Sequence, residues 1–168
     1  MITLYYRLLF WMLCIACYHS HITYYVLHSS ALHFLPFIKQ HHIFVLTDKP
    51  QYYVYTLDFS PFNQKNASIL IRMLLARNVP GEIRLRQIMT NIENSDHIIE
   101  QWNKMNRVDA LASWKLSKNT YQKIRNPQIK AIVDKSLKWQ PYMNLYTHNC
   151  QHFSHFVKNI TRLERLEK

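Results

Sequence analysis

Residues 149–163, NCQHFSHFVKNITRL, carry the pattern that decides the expected fold. Five apolar side chains in this stretch recur at the spacing of one helix face: Phe153, Phe156, Val157, Ile160 and Leu163. Asn149 precedes them and belongs to the residue types that cap helices, so we expect a helix that begins at Cys150. Cys150 falls on the same face as Phe153 and Val157, and this placement directs its thiol toward the body of the protein.

A cysteine in this position has the setting that a thiol nucleophile requires. The unpaired N–H groups and the positive dipole end of a helix favour the thiolate over the thiol. The same N–H groups can hold a developing oxyanion, while a general base and an orienting group complete such a site. Cys150 is therefore the candidate nucleophile, and a structural core thiol is the alternative.

The candidate base lies upstream, in residues 41–59, HHIFVLTDKPQYYVYTLDF. Two runs rich in β-branched and aromatic residues flank Asp48-Lys49-Pro50-Gln51, a turn-forming cluster, and predict a β-hairpin. With those four residues as the turn, His41 faces Asp58 on the opposite strand. An imidazole and a carboxylate across one rung can form a Cys–His–Asp relay with Cys150. His42, next to His41, is the other candidate base, and the register favours His41 slightly.

The segment His148-Asn149-Cys150-Gln151-His152-Phe153 resembles the Asn-Cys-Glu-His-Phe signature of lecithin:retinol acyltransferase and its relatives. Those proteins are circularly permuted members of the NlpC/P60 branch of papain-like enzymes. The stretch from His41 to Asp48 is similar to that family's strand, in which a His precedes aromatic and branched residues and a turn. The resemblance implies that Cys150 is the nucleophile, that His41 or His42 is the base, and that Asp58 lies near the third polar residue.

Three residues beside the thiol complete the expected site. Asn149, Gln151 and His152 are expected to contribute oxyanion contacts or the wall of the site. A zinc site built from His148, Cys150, His152 and His155 is an alternative, although this spacing crowds the ligands across a helix start. We therefore expect neither a metal nor a cofactor. The single glycine, Gly81, excludes a Gly-rich phosphate loop and with it P-loop and Rossmann folds.

The remaining patterns predict an α+β fold with an antiparallel sheet. Helices are expected over about 64–77, 96–105 and 127–139, and a further strand over 82–88. Residues 36–168 are expected to form a papain-like (permuted NlpC/P60) domain with a C-terminal catalytic helix. Residues 1–35 are expected to form a hydrophobic segment ahead of it, either a membrane anchor or an interfacial helix. A signal peptide and a buried core helix are the other interpretations of that segment.

The charge of the chain indicates its partners. The formal net charge is +11, and residues 65–138 hold fourteen Lys or Arg against six acids. A region of that sign attracts phosphate groups of anionic lipid or nucleic acid. Together with the apolar N-terminal segment, it predicts a membrane-associated protein whose partner is an anionic lipid surface. A protein partner is a further alternative, and nucleic acid is less favoured. The sequence does not assign a cellular compartment.

These expectations combine into one functional hypothesis. The sequence predicts a cysteine-dependent acyl hydrolase or acyltransferase that acts through an acyl-Cys150 intermediate on lipid esters or amides at a membrane. A cysteine peptidase is the alternative enzyme, and a catalytically inactive membrane-associated scaffold, such as a viral assembly protein, is the alternative without catalysis. The abundance of Asn, Lys, Ile and Tyr, together with Asp58-Phe59-Ser60-Pro61, also resembles small proteins of baculovirus-like insect viruses.

Overall fold

The computed structural model describes residues 22–29, 41–48, 53–63, 66–89, 95–105 and 110–166. Within these ranges the chain forms five strands and five helices, which confirms the α+β fold class. The strands are β1 (Ile22–Ser29), β2 (His41–Asp48), β3 (Tyr53–Pro61), β4 (Val79–Met89) and β5 (Tyr142–Met143). The helices are α1 (Ala67–Leu74), α2 (Ser95–Met105), α3 (Ala110–Lys123), α4 (Pro127–Ser136) and α5 (Cys150–Leu166).

The strands form one antiparallel sheet in the order β1-β2-β3-β4-β5. The predicted hairpin is confirmed, but its predicted register is wrong by two residues. Asp48 pairs with Tyr53 and Ile43 pairs with Asp58, so the connection spans 49–52. The ladder continues to Asp48 because the strand-forming Tyr53 extends it beyond the expected turn. A shift of two residues preserves side-chain alternation, so His41 and Asp58 keep a common face, as diagonal neighbours.

Strand β1 adds residues that the sequence pattern assigns to the N-terminal hydrophobic segment. All eight residues of Ile22–Ser29 pair with β2, so the sheet begins ahead of the expected domain boundary at residue 36. The run is rich in aromatic and β-branched side chains, which suit a strand packed on both sides. The rest of the predicted segment, 1–21 and 30–35, lies outside the described residues. In the described ranges, none of the helices has the length and apolar character needed to cross a bilayer.

Apolar clusters cover both faces of the sheet and position the helices. On one face, α4 and α5 pack over β2 and β3; the core there includes Phe44, Leu46, Leu57, Ile129, Phe153 and Val157. On the other face, α2 packs over a smaller cluster; it includes Ile43, Val45, Val54, Ile88, Ile98 and Trp102. Because alternate residues of β2 enter different clusters, this strand is buried on both sides.

The sequence did not predict helix α3, because polar residues form its buried side and large apolar residues are exposed. Ser113 and Thr120 are buried, whereas Leu111 and Trp114 are exposed. The helix lies along β4, where the Leu85 N–H donates to Ser117 Oγ at 3.2 Å. This contact satisfies a backbone donor at the sheet edge, and no apolar periodicity in the sequence signals it.

Candidate active site

Three elements bring the candidate residues together at one end of β2. His41 is the first residue of β2, Asp58 lies in β3, and Cys150 is the first residue of α5. The apolar face of α5, which includes Phe153 and Val157, packs on the sheet and fixes the helix start beside the start of β2. The thiol, the imidazole and the carboxylate are thereby carried by packed elements, which suits a preorganised site.

The Asp58 carboxylate is fully buried and is surrounded by hydrogen-bond donors. His41 Nε2 donates to Asp58 Oδ2 at 3.0 Å, and Ser60 Oγ donates to the same oxygen at 2.9 Å. Arg84 donates to it from Nε at 2.9 Å and also from Nη2. Trp102 Nε1 donates to the other oxygen at 3.1 Å. Burial tends to raise the pKa of Asp58, but the Arg84 charge and the His41 and Arg84 hydrogen bonds hold it well below its usual range.

The His41 imidazole links this carboxylate to the thiol. Burial opposes the charged form, but the Asp58 hydrogen bond and charge and the nearby Cys150 thiol outweigh it and raise the pKa of His41 to about 9. Because Nε2 is bonded to Asp58, the ring nitrogen left to face the thiol is Nδ1. His41 is therefore protonated at neutral pH and oriented by the carboxylate.

The pKa of the Cys150 thiol is lowered, whereas that of His41 is raised. Burial opposes ionisation, but the His41 hydrogen bond and charge, together with a backbone hydrogen bond from His42, lower the pKa of Cys150. The lowered pKa of Cys150 and the raised pKa of His41 both favour the thiolate–imidazolium pair, the form in which a cysteine acts as a nucleophile.

The predicted start of the last helix at Cys150 is confirmed, and so is its cap. Asn149 Oδ1 accepts hydrogen bonds from the backbone N–H groups of Gln151 at 2.9 Å and His152 at 3.3 Å. Asn149 Nδ2 donates to Leu145 O at 2.7 Å, and His152 Nδ1 donates to Asn149 Oδ1 at 3.0 Å. The cap occupies the N–H groups of Gln151 and His152. In this first turn, the N–H group of Cys150 is therefore the one that could bind an oxyanion.

The second candidate base, His42, points to the opposite face of the sheet from His41, which is the face that α5 covers. Its Nδ1 donates to Ser154 Oγ at 3.2 Å, and Ser154 Oγ in turn donates to Gln151 O at 2.9 Å. Burial and the neighbouring His28, His41 and His155 lower the pKa of His42 to about 4. The structure thus brings His41 to Cys150, whereas the His42 ring anchors the first turn of α5 and stays neutral.

Sequence reasoning missed three residues that surround the relay: Ser60, Arg84 and Trp102. The Trp102 ring stacks on His41 with centroids 5.3 Å apart, and the Arg84 guanidinium lies 5.4 Å from the Trp102 ring. One signal for Arg84 was present, because Asp58 lies within an apolar strand and a buried carboxylate requires a cationic partner. Trp102 comes from a separate helix, and its position has no local signature.

The zinc alternative is not supported by the arrangement of its ligands. In the part of the chain that the structure describes, no three His, Cys, Asp or Glu residues converge in a way that could hold a metal. The His148 ring instead stacks on Trp139 with centroids 4.2 Å apart, and on Tyr142 at 4.6 Å. His148 therefore belongs to an aromatic stack beside the helix start.

Comparison with models of protein families, with curated proteins and with solved structures gives no match for this chain. The likeness to lecithin:retinol acyltransferase and its relatives consequently rests on two segments, His41–Asp48 and residues 148–153. Function must be argued from the geometry of the site, since similar folds carry many activities.

Proposed function

We propose that this chain is a cysteine-dependent acyl hydrolase or acyltransferase with a circularly permuted papain-like fold. The order of its parts supports this proposal, because a histidine begins an early strand and a cysteine opens the last helix of an antiparallel α+β domain. One observation carries it: His41 Nε2 donates to the buried Asp58 at 3.0 Å, and the His41 ring lies near enough to Cys150, at the N-terminus of α5, for each group to shift the pKa of the other. Lipid esters or amides are the proposed substrate class, and an anionic membrane is the proposed location.

The first half of the proposed reaction forms an acyl-enzyme. The Cys150 thiolate attacks the substrate carbonyl carbon, and the carbonyl oxygen becomes an oxyanion beside the Cys150 N–H. When the tetrahedral intermediate collapses, His41 gives its Nδ1 proton to the departing alkoxide or amine. Asp58 holds the ring by its Nε2–H throughout and stabilises the imidazolium.

The second half returns the enzyme to its starting state. Neutral His41 accepts a proton from a water molecule or from an acceptor alcohol or amine as that group attacks the thioester. Collapse then breaks the bond between the acyl carbon and Cys150 Sγ, which leaves as the thiolate beside the re-formed imidazolium. Water gives hydrolysis, whereas another nucleophile gives acyl transfer, so the same residues support both outcomes.

Intact-mass analysis during turnover of p-nitrophenyl acyl esters tests the proposal. We expect an acyl adduct on Cys150 and a steady release of p-nitrophenol, both lost in Cys150→Ser. The matched control replaces Cys14 and Cys17 by Ser, which should leave both signals intact. Absence of an adduct on the wild-type chain with esters and peptide thioesters alike would refute the enzymatic proposal.

A second candidate, the non-catalytic scaffold, is favoured by one observation. The Cys150 and His41 residues are each only 8% exposed, which leaves little open surface at the pair. If the protein is a non-catalytic scaffold, Cys150 should resist alkylation in the native protein and react only after denaturation. Rapid labelling of native Cys150 would exclude it.

A further inference from the structure

Helix α1 presents a cluster of large apolar side chains to solvent. Ile71, Leu74 and Leu75, here called the α1 patch, are 57%, 49% and 60% exposed. Ile69 and Met73, on the opposite side of the helix, pack against the core. Single exposed apolar residues are common, whereas several on one helix face are typical of an interaction surface.

The charge around the α1 patch identifies a suitable partner. Residues 59–81 contain three cations, Lys65, Arg72 and Arg77, and no Asp or Glu. Arg72 and Arg77 are exposed. An apolar helix face whose own segment carries cations and no acids is characteristic of helices that lie on anionic lipid. Self-association through this surface would bring like charges together, which disfavours a second copy as the occupant.

The α1 patch is also tied to the segment that leads to Cys150. Asn144 Nδ2 donates to Ala76 O at 2.8 Å and to Asn78 Oδ1 at 3.0 Å, just after α1. Exposed Tyr142 and Tyr146 flank Asn144. Tyrosines of this kind concentrate at the interface between bilayer and water. Docking of α1 would therefore bring the loop before the candidate nucleophile close to the lipid.

We propose that the α1 patch docks onto an anionic lipid surface, with Ile71, Leu74 and Leu75 entering the interface and Arg72 and Arg77 meeting the headgroups. This docking does not depend on whether Cys150 is catalytic. Its consequence, that acyl substrates reach Cys150 from the bilayer, rests on the proposed function.

A fluorophore on the helix tests the docking directly. In a full chain carrying Cys14→Ser, Cys17→Ser and Cys150→Ser, Leu75→Cys is labelled with an environment-sensitive NBD group. The matched control carries the label at Leu111→Cys on α3, a leucine that is 63% exposed. Vesicles of phosphatidylcholine with phosphatidylserine should blue-shift and intensify the emission at 75 and leave that at 111 unchanged. Added salt should reduce the signal at 75, because it screens the cations.

Each contrary outcome overturns the proposal. No change at 75, equal changes at 75 and 111, or equal changes with phosphatidylcholine alone would show that this surface does not recognise anionic lipid. A shift that grows with protein concentration in the absence of vesicles would assign the patch to a second copy. Because the label reports its own surroundings, attachment through another segment cannot imitate the expected result. Because Cys150 is replaced, failure of the thiol chemistry cannot cause a negative one.

Discussion

Arg84 Nε donates to Asp58 Oδ2 at 2.9 Å, on the same carboxylate oxygen that binds His41. Both residues are buried, so the pair forms without solvent competition. Arg84 neutralises the carboxylate and leaves it free to orient His41. The guanidinium therefore positions the imidazole through Asp58 and acts on the thiol only indirectly.

Removal of Arg84 should therefore destabilise the fold. We expect Arg84→Met to lower the free energy of unfolding by about 3–5 kcal/mol, because the buried Asp58 carboxylate loses the guanidinium that neutralises it. Urea denaturation measures this loss. The control is Lys104→Met, which breaks the exposed Lys104–Glu100 pair at 2.7 Å. That change should cost less than about 1 kcal/mol, and equal losses in the two variants would contradict the assignment.

The pH profile of Cys150 alkylation should depend on His41 and not on His42. His41 lowers the pKa of Cys150 through its side chain, whereas the His42 contribution comes from its backbone N–H. Alkylation should begin below the pH at which free cysteine reacts, and His41→Gln should move the profile upward. His42→Gln, which keeps the backbone donor, should leave it nearly unchanged. A profile that moves equally in both variants would contradict this pairing.

Catalysis should also have an alkaline limit set by His41. The pKa of His41 is raised to about 9, so the general acid loses its proton as pH rises through that value. We expect kcat/KM for alkyl esters, whose departing alkoxide needs the His41 proton, to rise as the Cys150 thiolate forms and to fall again near pH 9. A profile that keeps rising above that pH, as for an unpaired thiol, would exclude His41 as the acid.

Acidification should weaken the fold through His42. Its pKa is lowered from 6.5 to about 4, so the unfolded chain binds the proton first as pH falls through this interval. Stability therefore decreases from pH 6.5 toward 4. His41, with its raised pKa, contributes fully below pH 6.5 and adds no slope there. The urea midpoint of His42→Gln should vary less with pH over this range than that of wild type, and parallel curves would refute the attribution.

Replacement of Ala76 by glycine should stabilise the C-terminal end of α1. Ala76 has a φ of 56°, in the left-handed region that a Cβ disfavours, and it directly follows Leu75, the C-cap of the helix. We expect Ala76→Gly to raise the free energy of unfolding by about 0.5–1 kcal/mol, since it relieves that conformational cost. Ala131→Gly, within α4, is the matched control and should lower it by about the same amount. The same sign in both variants would contradict the argument.

The sequence by itself determined the features that depend on neighbours along the chain. The start of α5 at Cys150 follows from Asn149, whose side-chain oxygen accepts from the N–H groups of Gln151 and His152. The β2–β3 hairpin follows from two strand-forming runs around a turn cluster. Such features were predictable because caps and tight turns are satisfied within a few residues.

Only the tertiary structure decided which histidine meets the thiol and what supports it. His41 and His42 are adjacent in sequence, but strand alternation sends their side chains to opposite faces. His42 lies on the face that α5 covers and bonds Ser154, whereas His41 lies on the face of Asp58 and Trp102 and approaches Cys150 at the end of the strand. Arg84 and Trp102 reach Asp58 from elements 26 and 44 residues away. Neither the strand register nor these distant partners has a local signature, because both arise from simultaneous burial of the two sheet faces.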